Sequence, residues 1–203
     1  LSWINSHNPF PGQFLFLDRD GVINADSPDY ITTWNQFEFY PDALEALTWL
    51  RERRVNTIVI SNQSALNRGM MTHEDFWDMH TRMIQDIEDA GGTILAAFYC
   101  PHRPDENCRC RKPSPGMIDA ARQLFHITSG DCYFIGDKPS DLLAAERGGC
   151  TGVLLARPSR TGEASCAGAP PLDRALVCRA TLMEAVQAIY PLPGSDVPRS
   201  GMT

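Results

Sequence analysis

The sequence is short of basic residues, of long apolar runs and of evenly paired cysteines. Lysine and arginine number 18 against 25 aspartates and glutamates, so the net charge is −7 and the isoelectric point is near 5.2. This balance argues against nucleic acid as a partner, because binding a phosphate backbone requires a basic face. A small phosphorylated substrate stays possible, since it needs only a local group of cations. No apolar run approaches the length that spans a bilayer, and residues 1–12 lack the pattern of a secretory signal.

The cysteine count also limits the possibilities. Seven is an odd number, and three cysteines crowd between positions 100 and 110, so an evenly paired disulfide framework is not expected. Metal binding in a reducing compartment is favoured instead. Cys132 and Cys150 lie among apolar or small residues and are predicted to be core thiols. Cys166 and Cys178 receive no role.

The strongest pattern present is the apolar run at residues 14–17, which ends on Asp18, Arg19, Asp20 and Gly21. Four apolar residues without a charge predict a buried parallel strand. Alternation along an extended chain sends both carboxylates to one side, at the strand end where open α/β sheets build their sites. One interpretation is a solvated turn. The other is a nucleophile beside a proton shuttle, assisted by a divalent cation.

The segment after this acid pair and the next strand end could both contact a substrate. Residues 24–39 are polar and aromatic, and predict either a surface connection or a flap over the strand end. A second buried strand at residues 55–60 leads into Ser61, whose hydroxyl and following amides could hold phosphate oxygens. The same residues are typical of a plain turn. Arg68 continues this loop and offers a bidentate cation.

Later strand ends supply a cation and further acids. Lys112 precedes a helix predicted over residues 115–126, where its ammonium could face a carboxylate and a phosphate, or could simply be exposed. A strand at residues 132–135 leads to Asp137, the expected metal acid. Asp141 follows as a support for it or as a cap on the helix dipole.

Between the third strand and Lys112 the chain carries the pattern C-x-H-x5-C-x-C. Three thiols and one imidazole within eleven residues match a closed tetrahedral zinc site, which leaves no open position for catalysis. The alternative is a loop with free thiols. The predicted ligands are Cys100, His102, Cys108 and Cys110.

The remaining patterns complete an α/β domain with a mostly parallel sheet. Further helices are predicted at residues 41–54, 72–90, 140–147 and 181–189, and further strands at 94–99, 152–156 and 175–178. Residues 157–171 are expected to form a loop. Residues 1–190 are expected to form one domain with the zinc loop at 100–110, and residues 191–203 a flexible tail.

Four strand ends therefore carry, in order, D-x-D-G-V (18–22), S-N-Q-S (61–64), R-K-P (111–113) and G-D-K-x-x-D (136–141). Together they resemble the haloacid dehalogenase superfamily of phosphatases and phosphotransferases. More narrowly, these motifs and the zinc loop resemble the D-glycero-D-manno-heptose 1,7-bisphosphate 7-phosphatase family over about residues 14–156. One departure is Ala65-Leu66-Asn67, where that family usually has Gly-Ile-Ala, near the expected substrate mouth.

The resemblance implies a three-layer Rossmann-like fold of the haloacid dehalogenase type, with the Asp18 strand central and no large cap domain. It implies hydrolysis of a phosphomonoester by Asp18 as nucleophile and Asp20 as general acid and base. Ser61 would bind phosphate and Lys112 would steady its charge, while Asp18, Asp20 and Asp137 would hold Mg²⁺ and the four-residue thiol and imidazole set would hold structural Zn²⁺. The implied substrate contacts are Arg19, Asp26, Ser27, Pro28, Asp29, Tyr30, Asn62, Gln63, Ser64, Arg68, Arg111 and Lys138.

The implied protein is a cytoplasmic monomer that acts on a small phosphorylated sugar, with neither nucleic acid nor membrane as partner. In this family the substrate is a heptose bisphosphate of nucleotide-activated heptose or lipopolysaccharide core biosynthesis. A histidinol-phosphate phosphatase shares the acid pair and the zinc loop and is the closest rival enzyme. A catalytically inactive, zinc-stabilised interaction module is the rival from another class, which loss of Asp18, Asp20, Lys112 or Asp137 would have favoured.

Overall fold

A seven-stranded sheet brings the acid pair and the other polar strand ends to one edge. The computed structural model describes residues 1–128, 132–157 and 175–191. The strands are β1 (Ser2–Ile4), β2 (Phe14–Leu17), β3 (Asn56–Asn62), β4 (Ala96–Cys100), β5 (Cys132–Gly136), β6 (Thr151–Leu155) and β7 (Ala175–Arg179). The helices are α1 (Ala43–Glu52), α2 (His73–Asp89), α3 (Gly116–Phe125), α4 (Pro139–Arg147) and α5 (Leu182–Ile189).

The strand order is β1-β4-β3-β2-β5-β6-β7, which makes the strand before Asp18 central. Every pairing is parallel except that of β1 with β4. Because β2, β3 and β5 are adjacent and parallel, Asp18, Ser61 and Asp137 all leave the sheet at the same edge. The expected mostly parallel sheet is confirmed.

Helices cover both faces, because the central strands are apolar on both sides. Apolar residues of α1, α2 and α5 form one core with Leu15, Leu17 and Val59. Residues of α3 and α4 form the other core with Phe16 and Ile58. The result is a three-layer α/β domain, as the motifs implied.

Element boundaries differ from the predictions by a few residues. Strand β3 runs through Ser61 and Asn62 instead of stopping at residue 60, because the chain stays paired with β4 up to Cys100. Strand β1 was not predicted, since three residues carry no readable period. Helix α1 begins at Ala43 rather than at Pro41.

The predicted core thiols Cys132 and Cys150 are buried. Cys178 in β7 is disulfide-bonded, while the five cysteines from Cys100 to Cys150 form no disulfide. Cys166, most of the loop predicted at 157–171, and nearly all of the predicted tail lie outside the described residues. In the described part, no helix is both long enough and apolar enough to cross a membrane.

Candidate active site

A cavity of about 350 Å³ opens at the carboxyl edge of the sheet. Four separate segments form its wall: the acid pair with the flap that follows it, the end of β3, the residues before α3, and the start of α4. Of the predicted site residues it is lined by Asp18, Asp20, Asp26, Ser27, Pro28, Tyr30, Ser61, Asn62, Gln63, Ser64, Arg111, Lys112 and Lys138.

The centre of the cavity is a buried cation between two carboxylates. Lys112 Nζ lies 2.8 Å from Asp18 Oδ2 and 2.8 Å from Asp141 Oδ1. Burial lowers the pKa of Lys112, but the charges of Asp141 and Asp18 outweigh burial, so the pKa lies above its ordinary value. The ammonium therefore stays charged beside the candidate nucleophile.

Lys112 is fixed in place by the end of β3. Its Nζ donates to the Ile60 carbonyl (2.9 Å). The Asn62 side chain accepts from the Lys112 main-chain N–H (3.1 Å) and donates to its carbonyl (3.2 Å). Asn62 was predicted to contact substrate, and its amide is instead engaged with the lysine main chain. It lines the cavity all the same.

Asp20 lies in a different environment from Asp18. Arg19 donates to both of its carboxylate oxygens (2.9 and 3.1 Å), Asn24 Nδ2 donates at 2.9 Å, and Gln63 Nε2 donates at 2.7 Å. Burial raises the pKa of Asp20, but the charge of Arg19 and the hydrogen bonds from Asn24 and Gln63 lower it by more. The pKa therefore lies below its ordinary value. Asp20 is consequently an ionised, firmly oriented carboxylate.

Arg19 itself is buried behind Asp20, with only 2 % of its side chain exposed. It is not among the residues that line the cavity, and its predicted contact with substrate stays a prediction. Its position suits the orientation of Asp20.

Asp137 approaches Asp18 from the next strand, and a glycine makes room for it. Gly21 adopts φ +86°, and a Cβ there would lie 2.2 Å from Asp137 Oδ2. Asp137 Oδ1 is buried without a hydrogen-bond partner. Burial and the charge of Asp18 raise the pKa of Asp137 to about 8. These features describe a carboxylate that lacks its positive partner.

Oxygen atoms of Asp18, Asp137 and Asp141 lie within 4.8 Å of one another. Such an all-oxygen donor set suits Mg²⁺, and a cation there would relieve the repulsion that raises the pKa of Asp137. The predicted metal set contained Asp20 in place of Asp141. The Asp20 carboxylate is engaged by Arg19, Asn24 and Gln63. Asp141 was recognised as a support, and the G-D-K-x-x-D spacing was the signal for it.

The flap after the acid pair is tied across the cavity mouth. Lys138 Nζ pairs with Asp26 Oδ2 at 2.8 Å, and both side chains are nearly half exposed. Burial lowers the pKa of Lys138, while the charges of Asp137 and Asp26 raise it above its ordinary value. Arg68 lies over the Tyr30 ring at 5.6 Å. Asp29 and Arg68 are exposed and do not line the cavity.

The predicted zinc ligands come together in one cluster. Their ligand atoms lie within 4.8 Å of one another, and the three Sγ atoms are 3.3 to 3.6 Å apart. His102 Nδ1 is 3.2 Å from Cys110 Sγ and 3.5 Å from Cys100 Sγ. Thiolates at about 2.3 Å around a tetrahedral zinc would be about 3.8 Å apart, so three thiols and an imidazole at these separations fit Zn²⁺.

Hydrogen bonds join the zinc loop to the segments that line the cavity. Arg111 Nη1 donates to the His102 carbonyl (2.9 Å), so the residue before Lys112 is held by a predicted ligand. On the other side, Asn67 Nδ2 donates to Glu106 Oε1 at 2.9 Å. Asn67 is one of the three residues at which this chain departs from the family pattern, and it joins the loop after Ser64 to the zinc loop.

Comparisons with known proteins agree with this geometry. A family model described as HAD-hydrolase-like matches residues 109–173. The D-glycero-beta-D-manno-heptose-1,7-bisphosphate 7-phosphatase of Pseudomonas aeruginosa is 38% identical over 141 residues, 70% of this chain and 79% of that protein. The D-glycero-alpha-D-manno-heptose-1,7-bisphosphate 7-phosphatase of Photorhabdus laumondii is 36% identical over 149 residues, 70% of this chain and 81% of that protein.

A solved structure is also similar. The D,D-heptose 1,7-bisphosphate phosphatase of Bordetella bronchiseptica, complexed with magnesium and phosphate, superposes with a TM-score of 0.80 at 28% identity. The match covers 87% of this chain and 97% of that one.

Proposed function

Because this chain belongs to the D-glycero-D-manno-heptose-1,7-bisphosphate 7-phosphatase family of haloacid dehalogenase-like phosphatases, we propose that it removes the 7-phosphate of D-glycero-beta-D-manno-heptose 1,7-bisphosphate. The beta anomer is chosen because the Pseudomonas relative is named for it. The observation that carries the proposal is Lys112 Nζ, 2.8 Å from Asp18, in a cavity large enough for a sugar phosphate. A nucleophile and a cation for phosphate then share one site.

Two metals are part of the proposal. The Bordetella relative was solved with magnesium and phosphate, and the oxygen atoms of Asp18, Asp137 and Asp141 form a donor set of matching chemistry. When bound, Mg²⁺ neutralises charge on the phosphate and among the carboxylates. We assign it to Asp18, Asp137 and the main-chain carbonyl of Asp20, while Asp141, which is paired with Lys112, adds negative charge beside the ion. Zn²⁺ is assigned to the four-residue thiol and imidazole cluster as a structural ion.

The reaction follows from two differently placed acids. Asp18 attacks phosphorus, the bond to the sugar oxygen breaks, and Asp20 gives that oxygen a proton, which leaves an aspartyl phosphate. Water then attacks phosphorus, Asp20 takes the water's proton, and Asp18 is released with free phosphate. Asp20 is ionised in the resting site, so it must first gain a proton. A bound phosphate favours protonation of Asp20, because its negative charge offsets the positive charge of Arg19, which lowers the pKa of Asp20.

The remaining contacts divide between the two phosphates. Ser61 and Lys112 are buried, line the cavity together with Asp18, and are assigned to the phosphate that is removed. Arg111 and Lys138 line the same cavity, are less buried, and are assigned to the second anionic group. The flap residues Ser27 to Tyr30 would cover the sugar between them.

The same proposal extends to context. Residues 1–190 are the phosphatase unit, and residues 191–203 are dispensable for hydrolysis. The protein acts as a monomer in the cytoplasm, on an intermediate of nucleotide-activated heptose biosynthesis.

The experiment is a phosphate-release assay with both heptose bisphosphate anomers, histidinol phosphate and an aryl phosphate, each with and without Mg²⁺. We expect the highest kcat/KM with the beta anomer. A preference for histidinol phosphate would change the proposed substrate but not the proposed phosphatase reaction. Absence of magnesium-dependent release from every substrate would refute the phosphatase itself.

A matched pair of variants tests the nucleophile. Asp18→Asn should lower turnover by about 10⁴-fold or more, because the amide cannot form the phosphorylated intermediate. Asp86→Asn changes an exposed acid of α2 and should leave turnover unchanged. Retained turnover in Asp18→Asn, with zinc content and circular dichroism intact in both proteins, would remove Asp18 from the mechanism.

A further inference from the structure

The side chain of Gln63 joins two of the groups that the proposed hydrolysis needs. Gln63 follows the last residue of β3 and is buried, with 4 % of its surface exposed. Its Nε2 donates to Asp20 Oδ2 at 2.7 Å and to Ser61 Oγ at 3.1 Å. A primary amide nitrogen carries two N–H groups. Both are therefore used, one on the proposed general acid and the other on the proposed phosphate-binding hydroxyl.

The N–H groups of Gln63 leave none for a phosphate. The main-chain N–H of Gln63 donates to the Cys100 carbonyl (2.7 Å), and the two side-chain N–H groups are engaged as described. The remaining polar atom of the side chain, Oε1, only accepts hydrogen bonds, so it would repel a phosphate oxygen. Any effect of Gln63 on the phosphate therefore passes through Asp20 and Ser61.

The hydrogen bond from Gln63 limits the direction of the Ser61 proton. A hydroxyl has one proton and two acceptor lone pairs, and Gln63 Nε2 occupies one of these lone pairs. Among the residues that the structure describes, none accepts a hydrogen bond from Ser61 Oγ. The proton thus points away from Gln63 and is available to a phosphate oxygen in the cavity that Ser61 lines.

Gln63 holds Asp20 from the side of the cavity. Arg19 and Asn24 also donate to this carboxylate, but neither lines the cavity, whereas Gln63 and Asp20 both do. A general acid has to lie within hydrogen-bond reach of the atom that it protonates, so its orientation matters. On the basis of the proposed phosphatase reaction, we propose that Gln63 is a positioning residue. It directs Asp20 to the leaving oxygen and the Ser61 proton to the phosphate.

The test at Asp20 compares two substrates that differ in their leaving group. Gln63→Met keeps a long, uncharged side chain but has no donor. It should lower kcat/KM for the heptose bisphosphate, whose sugar oxygen needs a proton, by about 100-fold. For p-nitrophenyl phosphate, whose phenolate leaves without a proton, the loss should be about ten times smaller. Equal losses on both substrates, or no loss on either, would overturn the role at Asp20.

A matched control removes the same kind of contact elsewhere. Gln85 Nε2 donates to Asp89 Oδ1 (2.8 Å) on the exposed face of α2. Gln85→Met therefore also deletes an amide that is bonded to an aspartate, and it should change kcat/KM for neither substrate. The same substrate-dependent loss in Gln85→Met would contradict the assignment to Gln63.

Phosphate binding tests the role at Ser61 without turnover. Inorganic phosphate, measured by calorimetry in the presence of Mg²⁺, should bind about fivefold more weakly to Gln63→Met than to the unsubstituted protein. In a Ser61→Ala background the same substitution should have no further effect, because no hydroxyl proton is left to direct. Unchanged binding in Gln63→Met, or an additive loss in the double variant, would overturn the role at Ser61.

A second variant keeps the test open if Gln63→Met folds poorly. Gln63→Asn retains a polar amide but is one methylene shorter, so it cannot reach both partners, and the same dependence on leaving group is expected. Zinc content and circular dichroism identify folded protein. If the unsubstituted protein prefers another alkyl phosphate, that substrate replaces the heptose bisphosphate. Absence of any turnover in the unsubstituted protein would refute the phosphatase, whereas turnover with an unchanged substrate ratio in both variants would refute only the role of Gln63.

Discussion

At the scale of residues, Asp18 and Asp20 are two positions apart and have different partners. Asp18 contacts the ammonium of Lys112, which is available to a phosphate in the same cavity. Asp20 is bound by Arg19, Asn24 and Gln63, which orient it and keep it ionised. This asymmetry allows one acid to attack while the other carries protons. Arg19, which is buried behind Asp20, has the geometry of a positioning residue.

Gly21 provides a test at this scale. Its positive φ already disfavours a side chain, and a Cβ would also overlap the Asp137 carboxylate. Gly21→Ala should therefore displace Asp137 and lower magnesium affinity and kcat by about 10–100-fold. Gly12→Ala is the matched control, because Gly12 has φ +111° with nothing within 4 Å of its Cβ position. The measurements are magnesium titration and phosphate release. Equal behaviour of the two variants would contradict the packing argument.

At the scale of elements, the zinc loop and the flap position cations from opposite sides. The zinc loop leads directly into Arg111 and Lys112, and Arg111 is bonded to the His102 carbonyl. The flap reaches across to α4 through Asp26 and Lys138. The zinc loop has little apolar content, and a metal would supply its constraint. The flap packs Ile31 and Phe37 into the core, and its ion pair with Lys138 adds a constraint at the cavity mouth.

Loss of zinc should therefore reduce catalysis, although the zinc ion takes no part in the reaction. Cys108→Ser should bind less than one equivalent of zinc and lower kcat/KM by about 10–100-fold, because Lys112 loses its support. Zinc content by elemental analysis and phosphate release provide the measurement. Cys150→Ala, a buried thiol outside the cluster, should keep its zinc. Full activity of a zinc-free protein would disprove the coupling.

The ion pair between Asp26 and Lys138 at the cavity mouth should weaken substrate binding. Asp26→Asn frees Lys138 for an anionic group, so KM for the bisphosphate should fall about two- to fivefold with kcat unchanged. The effect is small because the pair is nearly half exposed and therefore screened by solvent. Asp29→Asn, on the same flap without an ion pair to Lys138, should not change KM. A higher KM in Asp26→Asn would mean that Asp26 itself binds the sugar.

At the scale of the whole molecule, one buried histidine links pH to stability. His80 is 2 % exposed, its Nδ1 is 2.8 Å from the Tyr99 hydroxyl, and Trp3 and Trp77 pack on its ring. Burial first, and then the charge of Arg19, lower its pKa to about 4. The unfolded chain binds this proton near pH 6.5 and the folded chain does not, so stability is lost as pH falls from about 6.5 to 4.

We therefore expect this histidine to account for about 2 kcal/mol of lost unfolding free energy between pH 7 and pH 5. His80→Gln, which does not titrate, should reduce that pH dependence by this amount, although it is less stable at pH 7. His73→Gln, an exposed control on the same helix, should leave the pH dependence unchanged. Urea denaturation at both pH values measures it. An unchanged pH dependence in His80→Gln would show that other groups dominate.

Much of the fold could be predicted from the chain alone. Apolar runs located six of the seven strands, because a buried parallel strand needs a continuous apolar segment. The 3.6-residue period located α2, and Thr72 caps it by accepting from Asp75 N–H. Strand β1 could not be predicted, since its pairing with β4 is a long-range contact without a local signal.

The chemistry of the site was also present in the sequence: the order of acid pair, hydroxyl, lysine and acid, and the spacing of thiols and imidazole. Those are properties of neighbouring residues, which local patterns record. Tertiary structure alone decided the partners. It paired Lys112 with Asp141 as well as Asp18, placed Arg19 behind Asp20, and tied Asn62 to a main chain 50 residues away. These arrangements depend on which strands become neighbours, and that outcome is set by the packing of the whole chain.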